Sequence, residues 1–62
     1  MPIAIIHLME GRDNEKKARA IEAVTKALVE SLEAKPESVR VILLEVPKTN
    51  WGIAGKPAAT KG

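Results

Sequence analysis

The sequence predicts an α/β fold made of a single β-α-β unit with parallel strands and a short C-terminal hairpin. Two short apolar segments flank one long segment with helical periodicity, and parallel strands need such a crossover connection. The chain has 62 residues, so residues 1–62 form one domain, in which we expect residues 58–62 to be a frayed tail. A fold of this size buries only about 60% of the surface that its unfolded chain exposes.

The first strand is predicted over residues 2–9, which are apolar and rich in isoleucine. Both of its alternating faces are apolar, as in a strand that is covered on both sides. Gly11 then provides a turn, and Asp13 is the predicted N-cap of the next element. The capping box is incomplete, because Lys16 stands where glutamate or glutamine is preferred.

A helix is predicted over residues 14–34 and is expected to stop before Pro36, which moves the preceding residue out of the α region. Its predicted buried face is an apolar stripe at helical spacing: Ile21, Val24, Leu28 and Leu32, with Ala18 and Ala27 beside it.

The second strand is predicted over residues 38–46, and Pro47 ends it. Both of its faces are apolar except at Arg40 and Glu45. The glycine-punctuated "KTNWGIAGKP" then predicts a short hairpin or loop. Because one helix covers only one face of a two-stranded sheet, the other face must contact other copies of the chain. We therefore predict an obligate homo-oligomer.

Composition excludes several kinds of site and partner. The chain has no cysteine and one histidine, so we predict no disulfide and no metal. It contains no P-loop or dinucleotide fingerprint, and we predict no cofactor. The net charge is only +2 and the basic residues are dispersed, which argues against a nucleic-acid partner. The leading apolar segment is too short to span a bilayer and lacks the features of a signal peptide. We expect no membrane partner and a cytoplasmic protein.

The remaining candidates for chemistry are Pro2, His7, Arg12, Arg40 and Trp51. Each also has a purely structural interpretation. A proline can start a strand, a histidine can be hydrogen-bonded on a strand face, arginines can be solvated, and a tryptophan can fill a core or an interface. For Pro2 the functional alternative is that removal of Met1 exposes its nitrogen as a secondary amine. Taken one by one, the residues leave both interpretations open.

Taken together, four segments resemble the short-subunit tautomerases typified by 4-oxalocrotonate tautomerase, over nearly the whole chain. They are "MPIAIIHLMEGR", the helix, "SVRVILLE" and "NWGIAG". The shared pattern is proline after the initiator methionine, Gly-Arg ending the first strand, Val-Arg-Val opening the second, and aromatic-Gly-Ile-x-Gly. The resemblance implies a homohexamer, a trimer of dimers, with active sites shared between neighbouring chains.

The resemblance also implies an activity. Such isomerases interconvert enol and keto forms of unsaturated 2-hydroxy and 2-oxo acids, for example 2-hydroxymuconate and 2-oxo-3-hexenedioate in aromatic hydrocarbon catabolism. The implied substrate is a dicarboxylate or monocarboxylate dienol. The roles implied for individual residues are general base and acid for Pro2, carboxylate binding and catalysis for Arg12 and Arg40, and contact with substrate for Trp51, Met9 and Ile53.

The chemistry accounts for these residue types. A proton-shuttling base needs a pKa near the working pH, whereas a free secondary amine is normally protonated. Burial and nearby cations disfavour the ammonium form, and arginines also bind carboxylates in bidentate fashion. A retained Met1 would instead make the Pro2 nitrogen a tertiary amide without basicity.

Some positions depart from the family pattern: Ile5 replaces a glutamine, Asn50 a common histidine, Trp51 a phenylalanine and Ala54 a glycine. Residues 50–62 contain no acidic residue, which argues against the hydratase chemistry of the family's chloroacrylate dehalogenases. A different class of protein, the ribbon-helix-helix DNA-binding proteins, needs two helices after the strand, and "VRVILLEV" argues against it. An inactive structural paralogue of the same hexamer stays open.

Overall fold

The computed structural model describes residues 1–59 and has the predicted order of elements. Strand β1 (Ile3–Met9) is followed by helix α1 (Asn14–Leu32) and strand β2 (Arg40–Val46). Two short strands, β3 (Gly52–Ile53) and β4 (Lys56–Pro57), form an antiparallel hairpin. The backbone N–H groups of residues 58 and 59 donate to the carbonyl groups of residues 51 and 48, so the predicted frayed tail does not start at residue 58. Its remaining residues, 60–62, lie outside the described residues.

Strands β1 and β2 pair in parallel, as predicted, with Ile3 opposite Arg40 and Met9 opposite Val46. One further hydrogen bond extends the ladder at each end. The Arg40 N–H donates to the Pro2 carbonyl at 3.0 Å, and the Glu10 N–H donates to the Val46 carbonyl at 3.0 Å. Pro2 and Glu10 are therefore fixed at opposite ends of the sheet.

Helix α1 begins as predicted but ends early. The Asp13 carboxylate accepts a hydrogen bond from the Lys16 N–H at 2.9 Å, which confirms Asp13 as the N-cap. The last helical residue is Leu32 rather than residue 34, because Glu33 adopts the left-handed conformation with φ 54°. Lys35 is extended, as the steric demand of Pro36 requires, but the last helical residue lies three residues before it.

The second strand starts at Arg40 and not at residue 38. Pro36–Ser38 form a 3₁₀ helix, held by the Ser38 N–H and hydroxyl, which both donate to the Lys35 carbonyl. Proline is well suited to the first position of such a helix because it has no N–H to leave unpaired. A turn therefore occupies the residues before β2 that the apolar pattern assigned to the strand.

The helix packs over β2 with a somewhat different face from the predicted one. Its partly buried side chains are those of Lys17, Val24, Thr25, Leu28 and Val29, whereas the predicted Ala18, Ile21, Ala27 and Leu32 are exposed. The Lys17 ammonium forms an ion pair with Glu45 of β2 at 3.1 Å. Within residues 1–59, no helix is both long enough and apolar enough to cross a membrane.

The isolated chain has almost no core. Among residues 1–59, Val39 is the one buried hydrophobic residue, with 8% of its surface exposed. The accessible surface is 4895 Å², whereas a folded monomer of 6.7 kDa typically has about 3,900 Å². The folded chain thus leaves apolar surface exposed that a stable monomer would bury.

Four of the eight exposed large hydrophobic residues described lie on the side of the sheet opposite α1, here called the open face. It carries Ile3, Ile5 and His7 of β1 with Ile42 and Leu44 of β2, which alternate along each strand with half-buried side chains. The four aliphatic side chains are 42–57% exposed. Such a patch is typical of a surface that another protein chain covers.

We expect Ile5→Glu to block self-association, because burying an unpaired carboxylate costs several kcal/mol per interface. The matched control is Ala23→Glu, which adds the same charge at an exposed position of α1. In sedimentation velocity, wild type and Ala23→Glu should run as one oligomer and Ile5→Glu as a smaller or unfolded species. An Ile5→Glu chain that assembles like wild type would show that the open face is not an interface.

Candidate active site

Two of the candidate residues meet at the start of the sheet. Because parallel strands begin at the same edge, Pro2 lies beside Arg40, and the Arg40 N–H donates to the Pro2 carbonyl. Pro2 is half-buried, whereas Met1 is 80% exposed. Loss of Met1 would therefore remove little packing and would leave the Pro2 nitrogen at this end of the sheet.

The Arg40 guanidinium is held by neutral partners. Its Nη1 donates to the Glu37 carbonyl at 2.7 Å and to the Val39 carbonyl at 3.3 Å. The 3₁₀ helix Pro36–Ser38 presents the first of these carbonyl groups, so the turn that replaced the predicted strand residues orients the arginine. Carbonyl groups fix the side chain without neutralising its charge, and its other N–H donors remain available for a carboxylate.

Arg12 lies at the opposite end of the sheet, beyond Met9. Gly11 turns the chain there with φ 128°, a conformation that strongly favours glycine although a Cβ would meet no atom within 4 Å. The Arg12 Nη1 donates to the Met9 carbonyl at 3.3 Å. Within residues 1–59 the one ion pair is Lys17–Glu45, so neither candidate guanidinium is neutralised by a described carboxylate.

Trp51 also lies near this second end, after β2. The 3₁₀ helix Lys48–Asn50 leads into it, and the Trp51 N–H donates to the Lys48 carbonyl at 3.3 Å. The Trp51 carbonyl accepts from the Ala58 N–H at 2.7 Å, which ties the tryptophan to the far strand of the hairpin. The tryptophan is half-buried, and Ile53 on β3 is 57% exposed.

The hairpin turn itself is strained at one residue. Ala54 and Gly55 link β3 to β4, and both have positive φ, 53° and 84°, as two-residue type I′ turns require. A left-handed alanine costs about 1–2 kcal/mol, so Ala54 lowers the stability of this turn relative to glycine.

Within a single chain, the candidate residues lie in two separate groups. Pro2 and Arg40 lie at one end of β1 and β2, whereas Met9 and Arg12 lie at the other end, with Trp51 after β2. Seven residues of strand at about 3.3 Å each put roughly 23 Å between the ends. No side-chain movement bridges that distance, so a site that uses both groups has to be completed by a second chain.

Two features lie outside both groups. His7 is exposed on the open face among aliphatic side chains, between the two groups. A groove of about 370 Å³ runs along α1, lined by Glu22, Thr25, Lys26, Val29 and Pro36, and none of the candidate residues touches it. This groove is therefore unrelated to the candidate residues.

Sequence reasoning missed one residue, Glu10. Its carboxylate accepts a hydrogen bond from the backbone N–H of Lys48 at 3.3 Å. A lone glutamate before a Gly-Arg turn has the appearance of a solvated surface residue, and its partner is distant in sequence, so no local signal could reveal the contact.

Comparisons with known proteins place the chain in a family. The family model for tautomerase enzymes matches residues 2–61. A 2-hydroxymuconate tautomerase from Comamonas testosteroni is 52% identical over 62 residues, which is 100% of this chain and 98% of that one.

Two solved structures have the same fold. A 4-oxalocrotonate tautomerase isozyme from Methylibium petroleiphilum is 51% identical with a TM-score of 0.88, covering 92% of each chain. A heterohexamer 4-oxalocrotonate tautomerase from Chloroflexus aurantiacus is 34% identical with a TM-score of 0.90, covering 95% of each chain. A strand stands where a ribbon-helix-helix protein would need a second helix, so the DNA-binding alternative is not favoured. The chain belongs to the tautomerase family, and it is an isomerase that interconverts enol and keto forms.

Proposed function

We propose that the chain converts 2-hydroxymuconate to 2-oxo-3-hexenedioate, with the Pro2 nitrogen as general base and acid. One observation carries the proposal: Pro2 begins the sheet directly beside Arg40, whose guanidinium charge no described carboxylate neutralises. The tautomerase from Comamonas testosteroni, identical at about half of its positions, carries the name of this substrate.

The reaction moves one proton and shifts the conjugated double bonds. After removal of Met1, the Pro2 amine takes the proton from the enol hydroxyl group and returns a proton to the carbon at the far end of the conjugated system. The amine is regenerated, and the former hydroxyl oxygen becomes the keto oxygen. The arginine charges and partial burial favour the neutral amine, because both disfavour the ammonium form.

The two arginines have different roles in this mechanism. Arg40 holds the carboxylate and the oxygen at the reacting enol end, where negative charge develops. Arg12 of another chain holds the distal carboxylate and draws electron density towards it. Trp51, Met9 and Ile53 form the apolar wall of the pocket. A pair of binding arginines suits a dicarboxylate dienol better than a monocarboxylate one.

The assembly that completes the site is a homohexamer of three dimers, about 40 kDa from six chains of 6.7 kDa. Three facts support it: the apolar open face, the separation of Pro2 from Arg12, and the heterohexameric state of the related tautomerase from Chloroflexus aurantiacus. A cytoplasmic location stays a prediction.

We expect a chain that retains Met1, or is acetylated at Pro2, to lose all enol-to-keto activity, because an amide nitrogen has no basicity. Pro2→Ala, processed to a primary amine, should keep part of the activity and serves as the control. The measurement is absorbance of the dienol, with the amino terminus verified by intact mass. Full turnover by a preparation that retains Met1 would contradict the mechanism, whereas an inactive protein with a free Pro2 amine would indicate the paralogue alternative.

Removal of each arginine should affect different kinetic constants. Arg40→Ala should lower kcat on the order of 10²-fold, about 3 kcal/mol, because its interaction strengthens as charge develops on the oxygen. Arg12→Ala should raise KM, because its contact is present in both bound states, and also lower kcat, because Arg12 draws electron density towards the distal carboxylate in the transition state. Steady-state kinetics on 2-hydroxymuconate, with the oligomer verified by sedimentation, measures both. Near wild-type kcat/KM in both intact variants would show that the site is assigned wrongly.

A further inference from the structure

The position of Glu10 points to a role that its exposure would not suggest. It is the residue directly after β1, and its own N–H continues the ladder by donating to Val46. Its side chain then reaches across the end of the sheet to the Lys48 N–H. One residue thus connects the turn that carries Arg12 to the segment that carries Trp51.

The Lys48 peptide group is the point through which this contact acts. The first N–H of a 3₁₀ helix has no partner inside the helix, and the preceding residue, Pro47, provides no side-chain cap. Glu10 therefore caps the helix Lys48–Asn50 from a distant part of the chain. The Lys48 carbonyl accepts from the N–H groups of Trp51 and Ala59. The backbone before the hairpin and the backbone after it are therefore both hydrogen-bonded to the capped residue.

We propose that Glu10 is a positioning residue, which holds Trp51 at a fixed place relative to Arg12 through the Lys48 N–H. The expected effect on KM rests on the proposed function, whereas the expected effect on the position of Trp51 does not. Few other contacts fix the position of the segment that bears Trp51. The segment that bears Trp51 follows Pro47 and ends in a two-residue hairpin, and its remaining described hydrogen bonds lie within residues 47–59.

The kinetic consequence should fall on substrate binding. An apolar wall contacts the bound dienol in the ground state and in the transition state alike, so its displacement raises KM more than it lowers kcat. One hydrogen bond to a charged acceptor corresponds to a change of roughly tenfold. We expect Glu10→Ala to raise KM by roughly fivefold to tenfold while kcat changes by less than twofold.

The test compares Glu10→Ala with two matched variants. Glu10→Gln keeps an acceptor oxygen at the same place but removes the charge. Its KM should lie at least halfway back from the value of Glu10→Ala to that of wild type. Glu30→Ala removes the same charge from an exposed position on α1 and should behave like wild type. If Glu10→Gln behaves like Glu10→Ala, the charge is responsible and the hydrogen bond is not, which would overturn the positioning role.

A second measurement is independent of activity. Trp51 is the single tryptophan, and the chain has no tyrosine or phenylalanine, so its fluorescence reports on this position alone. Acrylamide quenching of Trp51 should increase in Glu10→Ala and stay at the wild-type value in Glu10→Gln and Glu30→Ala, with sedimentation unchanged in all three.

Unchanged quenching in Glu10→Ala would overturn the positioning role, whatever the kinetics show. If quenching changes as expected but the wild-type chain does not convert the dienol, the positioning role stands and the proposed function fails.

Discussion

Parallel pairing of β1 with β2 sets the place of every candidate residue. The single crossover through α1 puts the two strand starts at one edge and the two strand ends at the other. Pro2 is thereby next to Arg40, and the turn bearing Arg12 is next to the segment that leads to Trp51. The same ladder keeps these two groups roughly 23 Å apart in one chain. A site that used both groups would therefore have to be shared between chains.

The second constraint is the missing core. One helix on one side of a two-stranded sheet leaves the opposite side apolar and exposed, and Val39 is the one buried hydrophobic residue in the part of the chain that the structure describes. Burial of this open face against another chain would stabilise the fold. A site that used both groups of candidate residues would depend on the same association of chains.

The fold could be predicted from the sequence because its signals are local. Apolar runs, helical spacing, Asp13 and the prolines identified β1, α1 and β2 in order. Prediction failed at the junctions, where Glu33 ends the helix in a left-handed conformation and Pro36–Ser38 form a 3₁₀ helix. The buried face of the helix differs from the predicted one because burial depends on how α1 lies over β2: Val29 is half-buried, whereas Leu32 is 59% exposed.

The candidate site could be predicted only in part. Family resemblance selected Pro2, Arg12, Arg40 and Trp51, and their catalytic roles stay predictions. The contact of Glu10 with Lys48 spans 38 positions, so only the folded chain reveals it. Likewise, Arg40 donates to the Glu37 carbonyl of a 3₁₀ helix that no residue pattern specified, and Arg12 donates to the carbonyl of Met9 at the end of β1.

Subunit complementation tests most directly whether the site is completed between chains. One parent would carry an acetylated Pro2 and the other Arg12→Ala, so each has little or no activity alone but retains the residue that the other lacks. Denaturing the two together and refolding the mixture should restore a fraction of the wild-type activity, because some sites pair the free Pro2 of one chain with the Arg12 of the other. A mixture that forms hybrid oligomers, verified by intact mass of the assembly, but stays no more active than its parents would contradict the shared site.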